Sequence, residues 1–241
     1  MRPVLRGLSP QSVDFDNYRD AFAELASRIG PFCSYCERRI ATMLAVEHIQ
    51  PAGLTAYAHL YGRWENFLLG CVNCNSTKKH KDVVLADFLL PDRDNTAAAY
   101  IYTMDGKVSV SAGMTATQRS MAQRTLELAG LDKPAKDVVD SNDQLVAIDR
   151  VAQRMEVWLI AQDSKNDLRK CPGDVFRRQI ARTATGHGFF SIWMTVLEDD
   201  PLVRKLLIQE FSGTAIDCFD STTTKVVSPR PPNGLAAGSK I

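Results

Sequence analysis

The chain has almost no net charge. Over 241 residues, 29 lysines and arginines are balanced by 28 aspartates and glutamates, leaving a formal charge of +1. That balance excludes a uniformly basic coat and any strong long-range pull on a polyanion, so cationic surface must be local. No stretch approaches the ~18–20 uninterrupted apolar residues of a membrane span, so no membrane partner is expected. The opening Met1-Arg2-Pro3-Val4-Leu5-Arg6 lacks the apolar core of a secretion signal. A cytoplasmic location is the expectation. No internal repeat is present. The remaining composition, 45% hydrophobic and 24% charged, is that of an ordinary globular protein of one large or two small domains.

Against those absences stand six cysteines. Four form two matched pairs, Cys33-Ser-Tyr-Cys36 and Cys71-Val-Asn-Cys74. A disulfide framework does not require matched pairs, and no secretion signal favours one. Four thiolates at this spacing make a tetrahedral zinc site. Four sulfur ligands leave no open position, so this zinc would be structural and unable to activate water. Metal binding at such sites contributes ~10–16 kcal/mol in small peptides, enough to fold a unit that buries little by itself. Cys171 and Cys218 lack matched partners and are expected to be small buried residues.

Periodicity places these motifs. Phe15, Tyr18, Phe22, Leu25 and Ile29 recur at helical spacing, predicting an amphipathic helix over 15–29, capped by Asp14 or Asp16 and ended by Gly30-Pro31. Met43-Leu44-Ala45-Val46 leads as a short strand into Glu47-His48, and a long loop follows from Pro51. Phe67-Leu68-Leu69 reads as a second strand, and a helix beginning near Cys74 carries Asn75, Lys78 and Lys79. Tyr100-Ile101-Tyr102 and Val108-Ser109-Val110 flank Asp105-Gly106, a hairpin signal. Helices are expected over 118–129, 143–161, 174–184, 189–198 and 201–211, with a loosely ordered tail from Ser228. The expected fold is α+β, mostly helical. It comprises an N-terminal helix (1–30), a zinc-stapled ββα module (31–90), and a hairpin plus helical C-terminal region (91–241).

The residues between the cysteine pairs suit phosphodiester hydrolysis. Water must lose a proton as it attacks, and negative charge on the phosphate and the leaving oxygen must be balanced. His48 is the candidate general base, a role that typically contributes ~10²–10⁴-fold. Glu47 and Asn75 are candidate oxygen ligands of a hard catalytic cation, Mg²⁺ or Mn²⁺. Asn66 is placed to fix the 50–65 loop and so aim His48. Lys78 lies three residues after Asn75 on the same helix face, and with Lys79 forms the candidate nucleic-acid contact. The bland readings are a buried or zinc-bound histidine, a helix-capping asparagine and solvated charges. In that case the chain is an inert zinc-ribbon binding module.

At Cys33-x-x-Cys36, Glu47-His48-Ile49-x-Pro51, Asn66 and Cys71-x-x-Cys74-Asn75-x-x-Lys78 the chain resembles the HNH endonucleases. The resemblance implies a ββα-metal fold with His48 as base, Asn66 as the loop-fixing residue and Asn75 as a ligand of the divalent metal. Glu47 stands where many members have Asp. Four further motifs look like the HNH subfamily linked to retrons and to Septu antiphage systems, the PtuB type. They are Cys33-Ser-Tyr-Cys36-Glu37-Arg38, Trp64-Glu65-Asn66, Pro91-Asp92-Arg93-Asp94-Asn95-Thr96 and Gly188-Phe189-Phe190-Ser191-Ile192-Trp193-Met194-Thr195. That likeness implies a nuclease subunit acting on DNA with an ABC/SMC-like ATPase of the PtuA type. The alternative is an RNA (tRNA) endonuclease with retron components. The apolar 189–194 stretch reads either as core or as a docking face for the partner.

Overall fold

The computed structural model describes residues 1–134 and 149–241, and the backbone of Val138–Val139 and Leu145–Ala147. Buried apolar side chains from the first residue to the last form one contiguous core. Among the described residues no helix is long and apolar enough to cross a membrane.

Helix α1 (Phe22–Ile29) is preceded by a 3-10 turn, Tyr18–Ala21. The expected cap at Asp14 or Asp16 is corrected: the Asn17 side chain accepts from Arg19 N–H, and the turn starts at Tyr18, three residues after the expected start. Gly30, at φ +75°, ends the helix as its apolar face (Leu25, Ile29) closes on the core. The chain then forms the first cysteine knuckle. Strand β1 (Ala45–His48) pairs antiparallel with β2 (Phe67–Gly70), with Glu47 opposite Leu68 and His48 opposite Phe67. Helix α2 (Val72–Lys78) follows β2 after one residue, starting two residues before the expected Cys74. Lys79, expected within the helix, is instead its C-cap at φ +48°. This region is therefore strand, strand, helix.

After a short helix α3 (Thr96–Ala99), β3 (Tyr100–Tyr102) and β4 (Val108–Val110) form the hairpin expected around Asp105-Gly106. Helix α4 (Ala116–Ala129) opens on a Thr115/Gln118 capping box and closes on left-handed Gly130. The helix expected over 143–161 is corrected. Leu145–Ala147 (β6) is a strand paired with Val138–Val139 (β5). Helix α5 runs over Arg150–Lys170, started by the Asp149 carboxylate, which accepts from Val151 and Ala152 N–H. The reason is local: a carboxylate cap outcompetes apolar periodicity at a helix start. Positions 143, 144 and 148 lie outside the described residues.

Helices α6 (Asp174–His187), α7 (Phe190–Val196) and α8 (Pro201–Glu210) complete the chain's regular structure. Helix α7 is enclosed by α5, α6 and α8. Phe190, Ile192, Trp193 and Met194 are all buried, so the 189–194 stretch is core, and the docking-face reading is corrected. The tail from Ser228 is also corrected, because polar bonds hold it down. Asn233 donates to Asp92 O, Ser239 N–H to Arg93 O and Lys240 N–H to Asp94 Oδ1, and Ile241 is buried. The Pro91–Thr96 motif is thus the hub that ties the tail to the amino end, where Thr96 Oγ1 donates to Met1 O. Cys218 is buried as expected, whereas Cys171, the C-cap of α5, is exposed.

Candidate metal centre and adjoining cleft

The two knuckles bring Cys33, Cys36, Cys71 and Cys74 together, with all four Sγ atoms within 4.8 Å of one another and buried. Cys36 Sγ and Cys71 Sγ are 3.7 Å apart. Around a zinc ion with bonds of ~2.3 Å, tetrahedral geometry puts neighbouring sulfurs about 3.8 Å apart. The four thiols therefore fit a structural zinc ion, and none is in a disulfide. Two arginines compensate the charge such a centre carries. Arg150, in the first turn of α5, donates to Cys74 Sγ at 3.4 Å. Burial would lower the pKa of Arg38, but the neighbouring Cys36 and Cys71 thiolates raise it above its ordinary value.

The first knuckle is also locked to the C-terminal helices. Glu37 adopts φ +63°, which sends its side chain inward. Its carboxylate accepts from Ser191 N–H and Oγ–H and from Tyr102 Oη–H, and lies 3.3 Å from the Met1 amine. Its carbonyl accepts from Phe189 N–H. Burial acts to raise the Glu37 pKa, but the Met1 amine and the Ser191 bonds outweigh it and hold the carboxyl low.

A cleft of about 190 Å³ opens beside the four-cysteine unit, lined in part by Tyr18, Glu47, His48, Asn75, Lys79 and His80. Adjacent strand residues point to opposite faces, yet Glu47 and His48 both reach this cleft because β1 ends at His48. The half-buried His48 ring is held by Tyr18 (centroids 4.6 Å apart) and Tyr61 (5.8 Å), and its Nε2 lies 2.8 Å from Tyr61 O. A carbonyl only accepts, so Nε2 carries the proton and Nδ1 holds the lone pair. Burial lowers the His48 pKa below 6.5, outweighing the opposing Tyr61 hydrogen bond. The neutral ring is therefore favoured.

Asn66 is buried at the end of the 3-10 turn Trp64–Asn66, just before β2. Its Oδ1 accepts from Gln50 N–H (2.8 Å) and its Nδ2 donates to Gln50 O (2.9 Å). It thus clamps both backbone groups of the residue two positions beyond His48. Glu47 is 2% exposed. Its Oε2 accepts from Tyr35 Oη–H at 2.8 Å. Its Oε1 lies 2.6 Å from Lys78 Nζ, an ion pair whose angle falls outside hydrogen-bonding geometry. Burial raises the Glu47 pKa despite Lys78 and Tyr35, which pull it down. Asn75 is exposed on α2. A Cβ built on Gly70 would fall 3.0 Å from Glu47 Cβ and 3.8 Å from Asn75 Cβ, so the missing side chain leaves space between the two. Glu47 and Asn75 are the anionic and neutral oxygen donor types that a hard cation takes, but both Glu47 oxygens are engaged here, by Tyr35 and Lys78.

Lys78 is turned inward, 2% exposed, and also donates to His48 O at 2.6 Å. In this arrangement its ammonium serves Glu47 and the β1 backbone, leaving Lys79 as the exposed cation at the cleft. Tyr61 and His80 line or support the site without belonging to any spaced motif, and Tyr18 and Tyr35 do so from the first helical series and the first cysteine pair. Only pairing across β1, β2 and the 50–65 loop brings them here. No protein-family model matches the chain, and no curated protein matches it.

Proposed function

We propose that the chain is a metal-dependent endonuclease of the HNH kind that hydrolyses phosphodiester bonds in nucleic acid, with DNA as the first substrate. One observation carries this reading. A histidine with a free Nδ1, an acidic residue and an asparagine share one cleft on a strand–strand–helix unit whose two ends are fixed by a four-cysteine centre. An inert zinc ribbon needs neither the Asn66 clamp on Gln50 nor the carbonyl that sets the His48 tautomer.

In the proposed reaction a water held at His48 Nδ1 gives up its proton to that nitrogen as it attacks phosphorus. Tyr61 O stabilises the imidazolium that results, because its bond to Nε2–H strengthens as the ring becomes charged. Asn66 keeps the 50–65 loop, and with it Tyr61 O, in register with the ring. Glu47 and Asn75 would hold the divalent cation, which when bound supplies positive charge to the phosphate and the leaving oxygen. Lys79 offers a phosphate contact at the rim.

The near-zero net charge limits non-specific affinity for a polyanion. With the PtuB-type resemblance, this supports recruitment by an ABC/SMC-like ATPase in antiviral defence. The test is cleavage of plasmid, single-stranded DNA and total RNA, side by side, with Mg²⁺ or Mn²⁺. Cutting by the wild type and none by His48→Ala at unchanged zinc content supports the reading. Undiminished cutting by His48→Ala refutes the assignment of the base.

A further inference from the structure

The cleft contains a second imidazole. His80 lies just beyond α2 and lines the same cavity as His48 and Asn75. Three observations single it out. Lys79, a non-glycine residue, adopts φ +48° and ψ −128°. A backbone this unusual is strained in a non-glycine residue, and here it ends α2 just before His80. Next, the 51–53 turn makes room for the ring: a Cβ built on Gly53 would meet His80 Nδ1 at 3.3 Å and Cε1 at 3.5 Å. Gly53 shows no positive φ, so its absent side chain matters for space and not for backbone freedom. Finally, the other cations of the site are differently placed. Lys78 is buried against Glu47, and Lys79 is the exposed C-cap of α2 at the rim.

We propose that His80 is a catalytic residue, the general acid that protonates the leaving oxygen. This rests on the endonuclease reading above. As the new bond from water oxygen to phosphorus forms, His48 Nδ1 takes the water proton. As the bond from phosphorus to the bridging oxygen breaks, its electron pair goes to that oxygen, and the His80 imidazolium supplies a proton to it. One proton is gained at His48 and one lost at His80, and solvent restores both. A protonated imidazole presents N–H donors that can transfer a proton to the departing oxygen. Two imidazoles in one cleft divide the roles of base and acid between them.

The test uses the full chain with Mg²⁺ or Mn²⁺ and an oligonucleotide that the wild-type protein cuts. It is made twice, once natural and once with the bridging leaving oxygen at that bond replaced by sulfur. A thiolate leaves without a proton. His80→Ala and His80→Gln should each slow cleavage of the natural bond by ~10²–10⁴-fold, the usual contribution of an acid–base group. Both should cut the sulfur-bridged bond at the wild-type rate, with unchanged zinc content. Equal loss on both substrates would make His80 only a phosphate contact and overturn the proposal, as would no loss on either. Loss confined to His80→Ala, with His80→Gln fully active, would likewise overturn a proton-transfer role. If the wild type cuts no nucleic acid at all, the endonuclease reading fails, and this proposal with it. If the wild type cuts, only the role of His80 is at stake.

Discussion

Lys78 Nζ lies 2.6 Å from Glu47 Oε1, with both side chains almost fully buried. The pair joins α2 to β1 and adds a bond to His48 O. It is thus the direct mechanical link between the helix carrying Asn75 and the strand carrying His48. Two charges taken out of water stay folded only if each compensates the other.

Removing one partner should therefore cost more than removing both. Lys78→Met strands a buried carboxylate and is expected to destabilise by about 3–5 kcal/mol. The double variant Lys78→Met/Glu47→Gln should recover much of that loss. Urea denaturation of the two single variants, the double variant and the wild type measures the coupling. Additive losses would show that the pair contributes no net interaction.

Asn66→Ala removes the clamp on Gln50 and leaves that residue's N–H and carbonyl without their side-chain partner. A loss of about 1–3 kcal/mol is expected for groups left unpaired in a part-buried site. Cleavage should fall further than stability accounts for, because the 50–65 loop carries Tyr61 O, which orients His48. The check is to compare catalytic rate with fraction folded at a temperature where the variant is fully folded.

Zinc removal should affect more than the 31–90 module. Arg150 links Cys74 to the first turn of α5, and Glu37 links the adjoining knuckle to Ser191 and Tyr102. Cys33→Ser, or chelation, is expected to lower zinc content and to expose α5 and α7 amides to hydrogen exchange. A Cys33→Ser protein with full zinc content and unchanged melting would refute a structural role for the centre.

Acid should loosen the Pro91–Thr96 hub. Burial acts to raise the Asp92 pKa, but Arg6 and Arg93 outweigh it and hold the carboxyl below its ordinary value of 3.8. A depressed carboxyl contributes stability above its unfolded pKa, and that contribution is lost as pH falls through the folded value. Arg6→Leu should lower stability at neutral pH and flatten the acid limb of the stability curve. Urea midpoints between about pH 2 and pH 7 for variant and wild type test the sign.

Much of the local structure was legible because its causes are local. The Thr115/Gln118 capping box, Gly130 after α4, and Asp105-Gly106 between two β-branched or aromatic runs are short-range signals. The four-cysteine cluster, able to hold a metal ion, was legible because two Cys-x-x-Cys pairs are a short-range pattern. The errors have equally specific causes. Asn17 and Asp149 moved helix starts by capping, which apolar periodicity does not register. The tail looked loose because Pro, Gly and Ser dominate it, yet Asn233 and Lys240 find backbone and carboxylate partners more than 140 residues away.

The sequence by itself determined which atoms are available: four thiols in two pairs, an acidic residue beside a histidine, and two asparagines at separations that a strand–strand–helix unit can converge. Spacing and side-chain chemistry are properties of the chain, so they survive without a fold. The tertiary structure decided which of those atoms are free. Lys78 is spent on Glu47 and His48 O, and the lone pair of His48 lies on Nδ1 because Tyr61 O takes Nε2–H. His80 lines the cleft where a side chain on Gly53 would crowd its ring. Each of these depends on a partner distant in sequence or set by loop packing. Such pairings form when burial forces polar groups to find one another, and no local pattern records which they will find.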